Sequence, residues 1–149
     1  MCSSDLDFFA GMFTTTLEAD EILVEVELPF MAAHTGWSFM EVAPRAGDYA
    51  LMGVATFVTL DEDGKCKQAK LVYLNAGDGP IDAKEAAKIL LGEKLSDKLI
   101  ESSTAVASEQ EITPFGNMHA SREFQRHLAN VLTKKVLKTA FQRAEGNLQ

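Results

Sequence analysis

The chain contains little cysteine and no long apolar run, and each shortage excludes a class of protein. Its two cysteines, Cys2 and Cys66, lack the number and spacing of a disulfide framework, a zinc site or an iron–sulfur cluster. We expect both thiols to be free and reduced, which fits a reducing compartment. No apolar run approaches the roughly 18 residues of a membrane-spanning helix, and no signal-peptide pattern opens the chain. These features predict a cytoplasmic protein.

The length and composition are those of an ordinary globular domain. The 149 residues are 46% hydrophobic and 24% charged, which is typical of a soluble fold. A chain of this size buries roughly 68–70% of its unfolded surface, so it can form a substantial core. We therefore expect one domain, either alone or as part of a larger subunit.

The charge is unevenly distributed. The net charge is −8, with −12 on residues 1–118 and +4 on residues 119–149. An acidic body argues against nucleic acid as the main partner, because phosphate binding needs a basic face. The basic C-terminal segment either docks on an acidic surface, such as the body of this same chain, or is a solvated helix face.

The first half of the chain has the pattern of strands. Residues 22–28 alternate between apolar and acidic side chains, which predicts a half-buried strand that Pro29 ends. Leu23 is the exception, because it is apolar on the acidic face. Its role is either packing at a sheet edge or contact with a partner or a flat ligand.

Three more strands are predicted at residues 37–43, 54–60 and 68–75. Residues 61–64 form a hairpin turn between two of them, and Gly64 suits a positive φ. Because the connections are short, we expect an antiparallel meander. The glycine-rich residues 77–80 lack the lysine and the spacing of a phosphate-binding loop, so they predict a turn.

The second half of the chain has the pattern of helices. Asp82 and Glu85 have the spacing of a capping box, and Gly92 marks the end of this first helix. Ser96 or Asp97 caps the second helix.

A third helix begins near Ser121, after which apolar residues recur at helical spacing. Strands followed by helices predict an α+β fold. We expect an antiparallel sheet of three or four strands in the N-terminal part, covered by about three helices from the C-terminal part in a two-layer sandwich.

No catalytic or metal site can be assembled from the sequence. His34, His119 and His127 lack the i, i+4 spacing of a helical metal site, and no cysteine or carboxylate cluster joins them. No serine lies in a Gly-x-Ser-x-Gly motif. The chain alone therefore does not look like an enzyme.

The richest stretch of the sequence is residues 37–55. Trp37 and Phe39 lie on one face of the predicted second strand and Met40 on the other. Two interpretations are open. Both faces of this strand belong partly to the core, or one of the two faces contacts a ligand. Arg45 and Asp48, in the turn that follows, have the spacing of a local salt bridge that fixes the strand connection.

Several separated motifs together resemble one family, the C-terminal domain of the FAD-binding (medium) subunit of carbon monoxide dehydrogenase and its xanthine dehydrogenase relatives. The resemblance covers essentially residues 7–145. It rests on residues 8–13, 20–29 (DEILVEVELP), 36–39 (GWSF), 45–50 (RAGDYA) and 119–128 (HASREFQRHL).

The resemblance implies a place in a molybdenum hydroxylase. In such enzymes electrons pass from a molybdopterin large subunit through the [2Fe–2S] clusters of a small subunit to FAD, and then to an acceptor. The medium subunit has an N-terminal FAD-binding domain with glycine-rich diphosphate loops, and a C-terminal domain that helps to cover the flavin. This chain matches the second domain, about half of such a subunit.

The resemblance also implies contact residues for FAD. A leucine and a lysine that contact the flavin in xanthine dehydrogenase relatives fall on Leu23 and Met40 of this chain, and Phe39 is the aromatic neighbour. Met40 departs from the lysine, although methionine also packs well against rings. Because the diphosphate loops are missing, we expect no tight FAD binding by this chain alone. The alternative is a stand-alone, non-catalytic interaction module, such as a homodimer.

The two ends of the chain are expected to lie outside this domain. Residues 1–6 have no periodicity, and the end of a common sequencing adapter would encode residues 2–6. We therefore expect a non-native leader at residues 1–6 and a short tail at residues 146–149.

Overall fold

The fold is known from a computed structural model that describes residues 7–11 and 13–146. The expected leader, residues 1–6, lies outside the described residues, as do residues 147–149 of the expected tail. The described chain opens with two short antiparallel strands, β1 (Phe9–Gly11) and β2 (Thr14–Thr15).

A four-stranded antiparallel sheet forms one layer of the domain. Its strands lie side by side in chain order, so the predicted meander is confirmed. The short fourth strand was not predicted. The strands are β3 (Thr35–Val42), β4 (Met52–Leu60), β5 (Cys66–Leu74) and β6 (Ile81–Asp82).

Three helices form the second layer. They are α1 (Lys84–Leu90), α2 (Asp97–Val106), which runs into a π-helical turn at Ala107–Glu111, and α3 (Arg122–Ala144). Helix α3 packs across β3 and β4, and α1 packs against β5. The predicted α+β sandwich, with one sheet covered by helices, is confirmed.

Local turn and cap signals are largely confirmed. Gly64 has a φ of 75° in the hairpin after β4, and Gly92 has a φ of 77° where α1 ends. The Ser96 side chain accepts a hydrogen bond from the Leu99 N–H, so serine rather than Asp97 caps α2. The prediction of a cap at the start of α3 is also confirmed, since Ser121 accepts from Phe124 N–H.

The predicted capping box at the start of α1 is wrong. Its N-cap residue is Ala83, which has no side-chain acceptor. The Glu111 carboxylate accepts from the backbone N–H groups of Glu85 and Ala86 instead, at 3.0 and 2.8 Å. The carboxylate of Glu111, which is distant in sequence, therefore caps α1 in place of the predicted local cap at Asp82.

The core lies between the sheet and the helices. Every second side chain of β3, β4 and β5 points toward the helices, and most of these residues are buried. Tyr73 of β5 hydrogen bonds to Thr133 of α3 at 2.7 Å inside this core. Helix α3 lies close to the sheet at Gly36, where an added Cβ would lie 1.9 Å from the Ala140 carbonyl oxygen.

The strand predicted at residues 22–28 is wrong. Residues 22–31 form neither helix nor strand, and no hydrogen bond joins them to another described residue. A strand needs a neighbouring backbone as well as an alternating pattern, and here the neighbour is missing. Leu23, in this segment, is 52% exposed. We call residues 22–31 the arm.

Candidate functional site

An apolar patch lies on the face of the sheet that turns away from the helices, beside Lys70, which is opposite Phe57, and Glu41, which is opposite Gly53. Residues directly opposite one another on paired strands share a face, and the register pairs Trp37 with Phe57, and Phe39 with Ala55. Ala55 in turn lies opposite Val72 of β5. We call this surface the open face, and it comprises Trp37, Phe39, Ala55, Phe57, Val72 and Leu74.

The open face leaves large side chains in contact with solvent. Trp37, Phe39 and Phe57 are each 47% exposed, although they lie on adjacent strands. Contiguous apolar surface of this kind marks an interaction site more often than isolated exposed residues do. The open face is therefore the candidate functional site.

The structure separates the three residues predicted to contact a flavin. Phe39 lies on the open face, whereas Met40 is partly buried and packs against the core on the other side of β3. Leu23 lies in the arm. A flat ligand on the open face would thus contact the Phe39 ring but not the Met40 side chain.

Arg143 reaches the edge of the open face from the last turn of α3. Its guanidinium carbon lies 4.7 Å from the centre of the Trp37 ring, and Nη1 donates to the Trp37 carbonyl oxygen at 2.8 Å. Sequence reasoning missed this residue, since 106 positions separate the two side chains and no local pattern joins them.

A local salt bridge fixes the turn after β3, as the sequence predicted. Arg45 Nε and Nη2 donate to Asp48 Oδ2 at 3.4 Å, and the other oxygen of Asp48 accepts from the Tyr49 N–H. The Arg45 side chain is largely exposed, so the ion pair contributes little to stability beyond fixing the turn.

The described residues suit the ring system of a flavin better than its diphosphate. The open face offers aromatic surface on which a planar ring could pack. A diphosphate binds to free backbone N–H groups, as at a helix N-terminus. At α1, which follows the glycine-rich turn of residues 77–80, two of these groups already bond to Glu111.

Other chemistry finds little support in the described part of the chain. No group of three or more His, Cys, Asp or Glu side chains there could hold a metal ion, and none of its helices is long and apolar enough to cross a bilayer. Cys66 is a buried free thiol, and burial raises its pKa to about 11. Such a thiol is a poor nucleophile at neutral pH.

The basic C-terminal helix forms an ion pair with the acidic body of the same chain. Lys138 of α3 lies 3.6 Å from the Asp97 carboxylate at the start of α2. Both side chains are well exposed, so the pair contributes at most a small amount to stability. The lysines of this helix, Lys134, Lys135 and Lys138, are exposed, so the two interpretations of the basic segment both stay open.

This fold and sequence define a family. The family model described as the CO dehydrogenase flavoprotein C-terminal domain matches residues 37–140. The chain belongs to this family. The match begins at Trp37 and so contains the whole open face.

Relatives of this chain are medium or FAD-binding subunits. It is 34% identical over 138 residues to the 6-hydroxypseudooxynicotine dehydrogenase complex subunit alpha of Paenarthrobacter nicotinovorans, covering 93% of this chain and 46% of that protein. It is 31% identical over 144 residues to the xanthine dehydrogenase FAD-binding subunit of Escherichia coli O157:H7, covering 95% and 49%.

A solved structure has the same fold. It is a carbon monoxide dehydrogenase from Hydrogenophaga pseudoflava that lacks the Mo-pyranopterin moiety of its molybdenum cofactor. The TM-score is 0.86 at 25% identity, and the match covers 92% of this chain and 47% of that one. The chain thus spans about half the length of the relatives that it matches.

Proposed function

We propose that this chain is the C-terminal domain of the FAD-binding medium subunit of a molybdenum hydroxylase. Its role is to cover the flavin that the other half of that subunit holds, and so to support electron transfer from iron–sulfur clusters to an acceptor. The observation that carries the proposal is the exposed aromatic open face, in a domain that belongs to a flavoprotein family.

The chain contributes a surface rather than a catalytic group. FAD, when bound, supplies the redox chemistry. Phe39 would offer its exposed ring to the planar ring system of the flavin, and Trp37 and Phe57 would exclude water beside it. Leu23 reaches the flavin only when the arm is placed beside it. Met40 packs against the core on the other face of β3, so this proposal gives it no contact with the flavin.

The proposal implies three partners. The first is an N-terminal FAD-binding domain, which supplies the contacts to the diphosphate that this chain lacks. The others are a molybdopterin large subunit and a [2Fe–2S] small subunit. The names of the relatives support a multi-subunit enzyme, since one is a subunit of a dehydrogenase complex and another an FAD-binding subunit.

The open face also favours a second candidate function. An exposed apolar surface is what a homodimer would bury, so a stand-alone interaction module would use the same residues. The two functions differ in what covers Trp37, Phe39 and Phe57: another copy of the chain, or a flavin-containing partner.

A chimera tests the proposal. In it, this chain replaces the matching half of the E. coli FAD-binding subunit, to which it is 31% identical. We expect the purified chimera to retain one FAD per chain, while this chain alone retains none. A yellow preparation of the chain alone, or a folded chimera without flavin, would contradict the proposal.

Matched variants locate the contact. Phe39→Ala should increase the exposure of the bound flavin, measured as flavin fluorescence and loss of FAD on dialysis. Phe115→Ala is the control, because Phe115 is similarly exposed but lies outside the open face. Equal flavin exposure in both variants would overturn the role of Phe39. A dimer of the chain alone in sedimentation, lost in Phe39→Ala, would favour the interaction module.

A further inference from the structure

Arg143 brings a positive charge to the edge of the open face. β3 is the edge strand of the sheet, and His34 and Val42 direct their carbonyl oxygens to β4, so the Trp37 carbonyl oxygen points outward. Arg143 donates to this oxygen from α3, and its guanidinium carbon lies 4.7 Å from the centre of the Trp37 ring. A cation therefore lies against the indole at one end of the apolar patch.

The charge of Arg143 is not neutralised by the described part of the chain. Its two contacts there are a carbonyl oxygen and an aromatic ring, both of which are uncharged. The salt bridges between described residues do not include it. The side chain is only partly exposed, so water and salt screen its charge incompletely. A guanidinium also stays protonated at every working pH, so this charge is permanent.

The other charged residues of the open face make the Trp37 end its positive end. Lys70 lies on the same row of the sheet, opposite Phe57, which is itself opposite Trp37. Glu41 lies four residues along β3 from Trp37, a distance of about 13 Å. A planar group on the open face would therefore meet basic side chains at one end and an acidic side chain at the other.

A positive end matters to a flavin, because the charge of the flavin ring changes on reduction. At neutral pH the ring accepts two electrons and one proton, so the oxidised ring is neutral and the reduced ring carries one negative charge. In the proposed function the electrons come from the iron–sulfur clusters and the proton from solvent. A fixed cation nearby stabilises only the charged form. It therefore makes reduction of the flavin more favourable.

We propose that Arg143 raises the reduction potential of the flavin that the open face covers. This inference rests on the proposed function. Arg143 acts beside Trp37 and touches no substrate, so it is a positioning residue with a permanent charge. At about 10 Å and an effective dielectric constant of about 20, one cation changes the ratio of reduced to oxidised flavin by about tenfold.

Potentiometric titration of the chimera tests this inference. Arg143→Gln removes the charge but keeps an N–H donor for the Trp37 carbonyl oxygen, whereas Arg143→Lys keeps the charge. The reduction potential of the bound flavin should fall by about 30 mV in Arg143→Gln, which is a tenfold change for a two-electron couple. It should fall much less in Arg143→Lys.

A matched variant controls for the net charge of the chimera. Lys135→Gln removes one positive charge from a fully solvated position of the same helix, where water and salt screen it. The potential of the bound flavin in this variant should equal that of the unmodified chimera.

Each outcome decides the question. A lower potential in Arg143→Gln, but not in Arg143→Lys or Lys135→Gln, supports the proposal. Equal potentials in all variants, with FAD retained, overturn it and leave the proposed function standing. An equal fall in Arg143→Gln and Arg143→Lys overturns it in favour of packing, and an equal fall in Lys135→Gln overturns it in favour of net charge. Loss of FAD from Arg143→Gln overturns it in favour of a role in retention. A folded chimera without FAD contradicts the proposed function and overturns this inference with it.

Discussion

Arg143 in the last turn of α3 holds Trp37 on the edge strand of the sheet. Nη1 of Arg143 donates to the Trp37 carbonyl oxygen at 2.8 Å, and the guanidinium carbon lies 4.7 Å from the centre of the indole ring. The carbonyl points away from β4, so without Arg143 it would be an open acceptor at a free sheet edge. One side chain thus covers part of the edge and orients a residue of the open face.

Arg143→Ala should loosen Trp37 without disturbing the core. Loss of the cation–π contact and of the hydrogen bond should lower the free energy of unfolding by about 1 kcal/mol, since both groups are partly solvated. Trp37 is the only tryptophan of the chain, so its fluorescence reports the change directly. Lys135→Ala, on an exposed position of α3, is the control. Unchanged emission in Arg143→Ala would show that the contact is absent in solution.

Gly36→Ala should be strongly destabilising. The added methyl group would meet the Ala140 carbonyl oxygen at 1.9 Å and the Ala144 nitrogen at 2.5 Å, so α3 would have to move away from β3. Overpacking of this kind costs about 1–3 kcal/mol or more. Gly79→Ala has open space around it and should change stability by less than about 0.5 kcal/mol. Equal urea midpoints for the two variants would contradict the observed packing of α3.

Glu111→Ala should weaken the start of α1. Its carboxylate is the cap for the Glu85 and Ala86 N–H groups, and loss of a cap costs about 1 kcal/mol. Glu109→Ala removes a nearby carboxylate that caps nothing in the described structure and serves as the control. Urea unfolding measures both. A larger loss in Glu109→Ala than in Glu111→Ala would show that the cap has been assigned to the wrong residue.

The buried Cys66 should make the domain less stable in alkali. Burial raises its thiol pKa from 9.0 to about 11, so between these values the unfolded chain releases a proton that the folded chain retains. The contribution of Cys66 to the free energy of unfolding should therefore be constant below pH 9 and fall as the pH rises toward 11. Burial also raises the pKa of Tyr73, which acts in the same direction at higher pH.

A Cys2→Ser background isolates this effect. Urea unfolding across the pH series should show a shallower alkaline decline when Cys66→Ala is added. The thiol of Cys66 should also react slowly with a disulfide reagent at neutral pH. An identical alkaline decline with and without Cys66 would exclude the thiol as its source.

Much of the fold could be predicted because its signals are local. The hairpin at Gly64, the caps at Ser96 and Ser121 and the alternation of the three main strands each depend on residues within a few positions of one another. Short connections then leave few arrangements for the sheet.

The features that sequence reasoning missed depend on distant residues. The cap of α1 comes from Glu111, a turn and a helix away, and no spacing rule connects the two. The arm shows the opposite failure: residues 22–28 have the correct strand pattern, but a pattern cannot show which backbone lies beside it.

The candidate site was predictable only in part. Strand alternation correctly placed Phe39 with Trp37 and opposite to Met40. The exposure of Trp37 and Phe39 could not be predicted, because the same alternation of aromatic residues occurs whether a strand face is buried in the core or lies on the surface. The contribution of Phe57 also needed the register of β4 against β3.

Fluorescence of Trp37 in the chimera tests the central claim most directly, namely that the open face covers a flavin held by the other half of the subunit. The contribution of Trp37 is the difference between the chimera and its Trp37→Phe variant, measured with FAD bound and after its removal. A flavin close to the indole should quench that contribution, and removal of FAD should restore it. A contribution from Trp37 that is the same with and without bound FAD would contradict the claim.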